Sequence, residues 1–157
     1  MGFDLYAVKP INDSEEAGYF RNNVWWWRPL WNYIYEEKLI NDEQYEQGGY
    51  NNGFIINKLQ AQRMGIKLKH LVSQGKVKEY AEEYKKECDD LPDEPCPHCE
   101  TTGKREWEEG GKKVLKTCNA CHGKGSKRPW ATCYPFSIDN VEEFANFCIA
   151  SGGFSIC

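Results

Sequence analysis

An α+β fold, with a small helical and strand core interrupted by a cysteine-bearing hairpin, is predicted by three features of this chain. Short strand-like stretches stand near both ends, GFDLYAV at residues 2–8 and FSIC at 154–157. Between them lie runs whose apolar residues recur at helical spacing. Late in the chain, two Cys-x-x-Cys pairs bracket eighteen residues.

GFDLYAV alternates enough to read as a strand, and Asn12-Asp13-Ser14 with Gly18 marks a loop. Pro29 suits the first turn of a helix and pushes Arg28 toward extended backbone. From Pro29 to about Ile40, Leu30, Trp31, Ile34, Tyr35 and Leu39 share a helical face while Glu36, Glu37 and Lys38 point elsewhere. EQGGYNNGF is loop. A helix is predicted from about Phe54 to Gln74, with Ala61, Met64, Leu68 and Leu71 on one stripe. Gly65 weakens its middle and Gly75 suits its C-terminal cap. Val77, Tyr80, Ala81, Tyr84 and Cys88 then follow at i, i+3, i+4, i+7 and i+11, and DDLPDEP stops that helix. This acidic, Pro-containing run divides the chain into residues 1–92, a hairpin at 93–130 and a completing segment at 131–157. WATCYPFSI reads as extended. Asp139-Asn140 caps a short helix carrying Val141, Phe144, Ala145 and Cys148 on one face. Gly152-Gly153 ends it, and FSIC forms a last strand that can pair with the first.

A composition 40% hydrophobic and 14% aromatic excludes global disorder. No apolar run approaches the ~20 residues of a membrane span, and MGFDLYAVKP lacks a basic start followed by an apolar stretch. The expected location is the cytoplasm. Net charge is −4, unevenly spread. Glu100 to Arg128 holds eight basic residues against four acidic ones, a local +4, which leaves −8 for the remainder. That asymmetry points either to an anionic partner or to a hairpin kept soluble by lysines.

Four of the eight cysteines form the pairs CPHC, Cys96 and Cys99, and CNAC, Cys118 and Cys121. Two cysteines separated by two residues can turn both sulfurs onto one ion, so two such knuckles supply four thiolates for a closed tetrahedral site. One structural Zn2+ is the expected cofactor. Thiol redox chemistry is the alternative, but a redox Cys-x-x-Cys normally occurs once, at a helix start. His98 and His122 read as neighbours of the metal rather than ligands. Cys88, Cys133, Cys148 and Cys157 are irregularly spaced and read as small buried thiols.

The second knuckle, CNACHGKG at 118–125, resembles the Cys-x-x-Cys-x-Gly-x-Gly repeat of the DnaJ chaperone cysteine-rich domain. The first, CPHCETTG, keeps Gly103 but has Thr101 where the repeat has its other glycine. That family carries four repeats and two zinc ions, so the resemblance over residues 96–125 implies one zinc here. It implies no co-chaperone activity, because the HPD-bearing helical domain is missing. MGFDLY, YFRNNVWWWRPLW and YPFSIDNVEEFANFCIASGGFSIC are similar to small bacteriophage and prophage proteins. That likeness implies an infected bacterial cytoplasm and a host protein, such as a defence or metabolic component, as partner.

YFRNNVWWWRPLW raises the question of core against contact surface. In an extended segment Trp26 faces one way and Trp25 and Trp27 the other, so the three cannot all enter one core. Core is the first expectation. A recognition patch of Trp25, Trp26, Trp27, Arg21 and Arg28, with amides from Asn22 and Asn23, is the second. Lys112, Lys113, Lys116, Lys124, Lys127 and Arg128 are candidate phosphate contacts, with Trp107 or Trp130 stacking on a base. No catalytic residues are assigned. The sequence has no phosphate-cradling glycine loop, nucleophile-elbow serine or His-Glu-x-x-His, and His70 has no evident partner. Glu82-Glu83 and Glu142-Glu143 read as solvated helix faces. The expected function is therefore a non-enzymatic, zinc-stabilised binding protein directed at a host protein. The alternatives are a nucleic-acid binder using the basic hairpin, and sequestration of a small nucleotide by the Trp/Arg/Asn patch.

Overall fold

The protein is described by a computed structural model covering residues 2–157. In chain order the elements begin with β1 (Gly2–Ala7), α1 (Glu15–Gly18), β2 (Tyr19–Asn23), α2 (Val24–Glu36), α3 (Asp42–Gln47), β3 (Phe54–Ile56), α4 (Lys58–Ser73) and α5 (Lys76–Asp90). Then come β4 (Glu94–Pro95), β5 (Lys104–Glu109), β6 (Lys112–Thr117), β7 (Ser126–Lys127), a 3-10 turn at Trp130–Cys133, α6 (Ile138–Ala150) and β8 (Phe154–Ile156). The fold class is α+β, and the chain divides into two compact units. One comprises the chain up to Lys86 together with Tyr134–Cys157; the other is Glu87–Cys133. The acidic run that marks a boundary in the sequence lies inside the second unit.

The first unit is built on an antiparallel sheet of order β2-β1-β8-β3. Register places Phe20, Leu5, Ile156 and Phe54 in one cross-strand row, since Leu5 faces Phe20 and Ile156, and Ile156 faces Phe54. With Phe3, Ile56 and Phe154 they give the sheet one apolar face. FSIC does pair with the first strand, and it inserts between β1 and β3. On the other face Arg21 lies 3.5 Å from Asp4, and the Tyr19 hydroxyl donates to the same carboxylate.

Helices α2, α4 and α6 contribute most of the rest of this core, with Ile40 from the α2–α3 connection and Val77 from α5. The packing of α4 on α6 depends on Gly65: a Cβ there would stand 2.6 Å from the Ala145 carbonyl oxygen and 2.7 Å from Ile149. The glycine read as a weak point of the helix is where the second helix approaches.

Several element boundaries differ from the sequence reading. Helix α2 begins at Val24, because the Asn23 side chain accepts from the backbone N–H of Trp25 and Trp26 and caps the helix six residues before Pro29. Pro29 therefore sits inside the helix, and the tryptophans are helical rather than extended. Phe54–Ile56 is strand, and α4 starts only after Asn57, whose side chain accepts from the Gln60 N–H. Helix α3, unassigned from sequence, has a capping box in which Asn41 and Gln44 bond reciprocally. WATC is a 3-10 turn instead of an extended segment, and Ser137 rather than Asp139-Asn140 caps α6.

A candidate metal centre and an exposed hairpin

The second unit has almost no apolar core. Its cluster of buried residues is Cys96, Cys99, Cys118 and Cys121, with Ala120 packed against it. Ligand atoms of these four all lie within 4.8 Å of one another, the one such grouping among the described residues. The Cys96 and Cys118 sulfurs are 3.9 Å apart, and those of Cys99 and Cys121 3.6 Å. A tetrahedral ion with metal–sulfur bonds of about 2.3 Å requires sulfur–sulfur edges of about 3.8 Å. A disulfide requires about 2.05 Å. The set therefore fits a metal ion, and its cysteines are unbridged.

The two knuckles are built alike. Glu100 and His122, one residue past each pair, have φ of 48° and 51°. Thr101 and Gly123 follow at 78° and 83°, then Gly103 and Gly125 at 70° and 77°. The knuckles also grip each other: the Cys96 N–H donates to Gly125 O at 2.9 Å, and the Cys118 N–H to Gly103 O at 2.8 Å. A Cβ on Gly103 would stand 2.3 Å from Gly123 O, and one on Gly125 2.2 Å from Thr101 O. These glycines thus serve close backbone approach as well as turning. Thr101 holds a left-handed conformation without a glycine's freedom, at the position where the repeat departs from its pattern.

The thiols are unequal. Burial, reinforced by the hydrogen bond with Cys121, pushes the Cys99 thiol up to about 11. Burial would also raise Cys121, but the Gly125 N–H, donating to its sulfur at 3.3 Å, and the thiols of Cys99 and Cys118 outweigh it and bring Cys121 down to about 6.

Hairpin β5–β6 rises from the site through a two-residue turn, Gly110-Gly111, both at positive φ. It is exposed on both faces: every β6 residue is exposed, as are all of β5 but Arg105. Register separates two faces. One carries Arg105, Trp107 and Glu109 with Lys112, Val114 and Lys116. The other carries Lys104, Glu106 and Glu108 with Lys113, Leu115 and Thr117. Arg105 stands over the Trp107 ring, 5.7 Å from its centroid. Lys116 pairs with Glu109 and Lys113 with Glu106, each at 2.9 Å.

The candidate contacts are thereby redistributed. Lys112 and Lys116 share a face with Trp107, and Lys113 is on the opposite one. Arg128 does not belong with the phosphate contacts: its guanidinium donates to the carbonyls of Cys88, Asp89 and Leu91 and meets Asp93 at 3.3 Å. It closes the C-terminal end of α5, where no basic residue lies on the helix itself. Lys124 is exposed and Lys127 half-buried in β7. The Arg105–Trp107 pairing was visible in the sequence only by counting strand parity outward from Gly110-Gly111.

The tryptophan patch is mostly core. Trp27 is fully buried, stacks on Trp31 at 4.9 Å and donates its indole N–H to Gly48 O at 2.8 Å, so it is no contact residue. Trp25 and Trp26 are half-buried, Trp25 against Tyr134 at 5.0 Å. Asn22 is buried and donates to Asn140, Asn23 caps α2, and Arg21 pairs with Asp4. Of that candidate patch, Arg21, Asn23 and Arg28 are exposed. Of the other cysteines, Cys148 is buried as expected, whereas Cys88 is half-buried and Cys133 and Cys157 are exposed.

No helix among the described residues is long and apolar enough to cross a membrane. No protein-family model, curated protein or solved structure matches the chain.

Proposed function

We propose that this chain is a non-enzymatic binding protein in which one zinc ion, held by Cys96, Cys99, Cys118 and Cys121, braces hairpin β5–β6 as the contact element. One observation carries the reading: a two-stranded ribbon exposed on both faces is rooted in a four-thiol cluster that is nearly the whole core of its unit. An isolated hairpin is marginal in water, so one that covers nothing of its own requires an anchor. Metal-binding energy supplies it, and it is folding energy in such a unit. Four thiolates are the donor set zinc prefers in structural sites, and they leave no open position for a substrate or water. That supports a bracing role over a catalytic one.

A host protein, in the cytoplasm of a phage-infected cell, was the partner expected from the resemblance and the tryptophan patch. Burial of Trp27 takes the centre from that patch, which also weakens the small-nucleotide alternative. Hairpin β5–β6 carries a net +2, from five basic residues against three acidic ones, in a chain of net charge −4, and contact through it with an anionic partner is the reading with most support.

Native mass spectrometry of the purified chain tests this. The expected species carries one zinc, lost on Cys96→Ser with Cys118→Ser. Bound partner should disappear when residues 105–116 are replaced by a short Gly-Ser turn that leaves the zinc in place. A chain without metal, or a partner retained by the trimmed protein, overturns the proposal.

A further inference from the structure

Resting on that reading, we infer that the Trp107 face of the hairpin binds single-stranded nucleic acid, one base stacking on the indole and neighbouring phosphates meeting Arg105, Lys112 and Lys116. The two faces of this ribbon differ in ways that choose the ligand. The Leu115 face holds two basic residues, Lys104 and Lys113, against Glu106 and Glu108, and Lys113 is already bound to Glu106. It is neutral. The Trp107 face holds three basic residues against Glu109 alone, a net +2.

Its apolar content is one aromatic ring and Val114 directly opposite, too little for the desolvated centre of a protein interface. A flat indole bordered by cations is instead the arrangement that takes a nucleobase: every base has a face to stack, and its phosphates need positive charge within reach. The ring is 40% exposed, and Arg105 stands over it 5.7 Å from the centroid, so an arriving base takes the other ring face or displaces this guanidinium. A base available for stacking is one outside a duplex, which sets the class as single-stranded. Glu109 is the opposing element. It holds Lys116 at 2.9 Å, so an arriving phosphate must compete with a carboxylate at the hairpin tip.

The experiment uses the full, zinc-loaded chain and a fluorescein-labelled fifteen-residue oligothymidylate, followed by anisotropy. Three phosphate contacts on a single strand give a slope of about −2 for log affinity against log salt, so binding falls roughly 20-fold between 50 and 200 mM NaCl. Trp107→Ala is expected to weaken binding by roughly 5- to 100-fold, the range for loss of one stacked base. Lys112→Glu with Lys116→Glu should remove it. Lys113→Glu on the opposite face should change it less than twofold, and Glu109→Gln should tighten it several-fold by freeing Lys116. These variants lie away from the metal, so unchanged zinc content marks them as folded. No binding at 50 mM NaCl, or equal effects of Lys113→Glu and the Lys112/Lys116 pair, overturns the inference. If the oligonucleotide fails while a nuclease-treated lysate protein is retained in a Trp107-dependent manner, the nucleic-acid inference falls and the contact-hairpin reading stands. If the zinc is also absent, both fall.

Discussion

Replacing Gly125 with alanine tests how the two knuckles hold each other. The added Cβ would lie 2.2 Å from the Thr101 carbonyl oxygen and 2.9 Å from its carbon, both backbone atoms that cannot swing aside. Alanine must also adopt φ of 77°, at about 1–2 kcal/mol for a residue with a Cβ. If the loop shifts to relieve the contact, two hydrogen bonds go with it: Gly125 N–H to the Cys121 sulfur, and Cys96 N–H to Gly125 O. Each is worth roughly 0.5–1.5 kcal/mol. Together these give a loss of about 2–5 kcal/mol, or roughly 30- to 4,000-fold in metal affinity. That is well below the ~10–16 kcal/mol of a structural zinc site, so the variant should bind zinc weakly rather than not at all. Titration against a chromophoric chelator measures it. Thr101→Gly should act oppositely, tightening zinc about 2- to 5-fold by releasing a left-handed threonine. A Gly125→Ala affinity within threefold of the parent would refute the reciprocal packing.

Removing the metal with a chelator should abolish amide-exchange protection across residues 87–133 and leave it over 2–86 and 134–157, because the clusters of buried residues share no member. Gly65→Ala adds about 1 kcal/mol of helix preference but drives a Cβ into the Ala145 carbonyl, so urea denaturation should show a net loss of about 1–2 kcal/mol; stabilisation would be contrary. Trp27→Phe leaves the buried Gly48 carbonyl without its indole donor and should lower stability by about 2–4 kcal/mol without touching partner binding. Arg128→Ala should cost about 1–2 kcal/mol and raise exchange in the last turn of α5, with oligonucleotide affinity unchanged.

The four-cysteine cluster was readable because its chemistry is local: a cysteine three residues from another makes a knuckle within one short loop. The stripes of α4, α5 and α6 were readable for the same reason, since apolar spacing records which side faces a core. Where two local rules competed, the reading failed. Pro29 argued for a helix start, yet Asn23 offered a cap six residues earlier, and burying Trp27 and Trp31 on one helical face favoured the longer helix. At Phe54–Ile56, apolar residues compatible with a helix were claimed by pairing with β8, a hundred residues away in sequence. The Asn41–Gln44 box is a helix-start signal legible in the sequence itself. Arg128 was counted as a surface charge because nothing nearby in sequence shows that its partners are the carbonyls ending α5. The exposed Cys133 and Cys157 show that residue type alone does not place a thiol.

The position of β8 has a consequence for how the protein is made. A ribosome synthesises this strand after every other element of the sheet, yet it belongs in the interior, with β1 on one side and β3 on the other. Until it arrives, β1 has one open edge, β3 has no partner strand at all, and the apolar row of Leu5, Phe20 and Phe54 lacks Ile156. The knuckles face a shorter delay, since the four cysteines and the Gly125 that packs against Thr101 all fall between residues 96 and 125. During translation the inserted unit, Glu87–Cys133, can therefore bring its four cysteines together while the unit begun before it still waits for an interior strand.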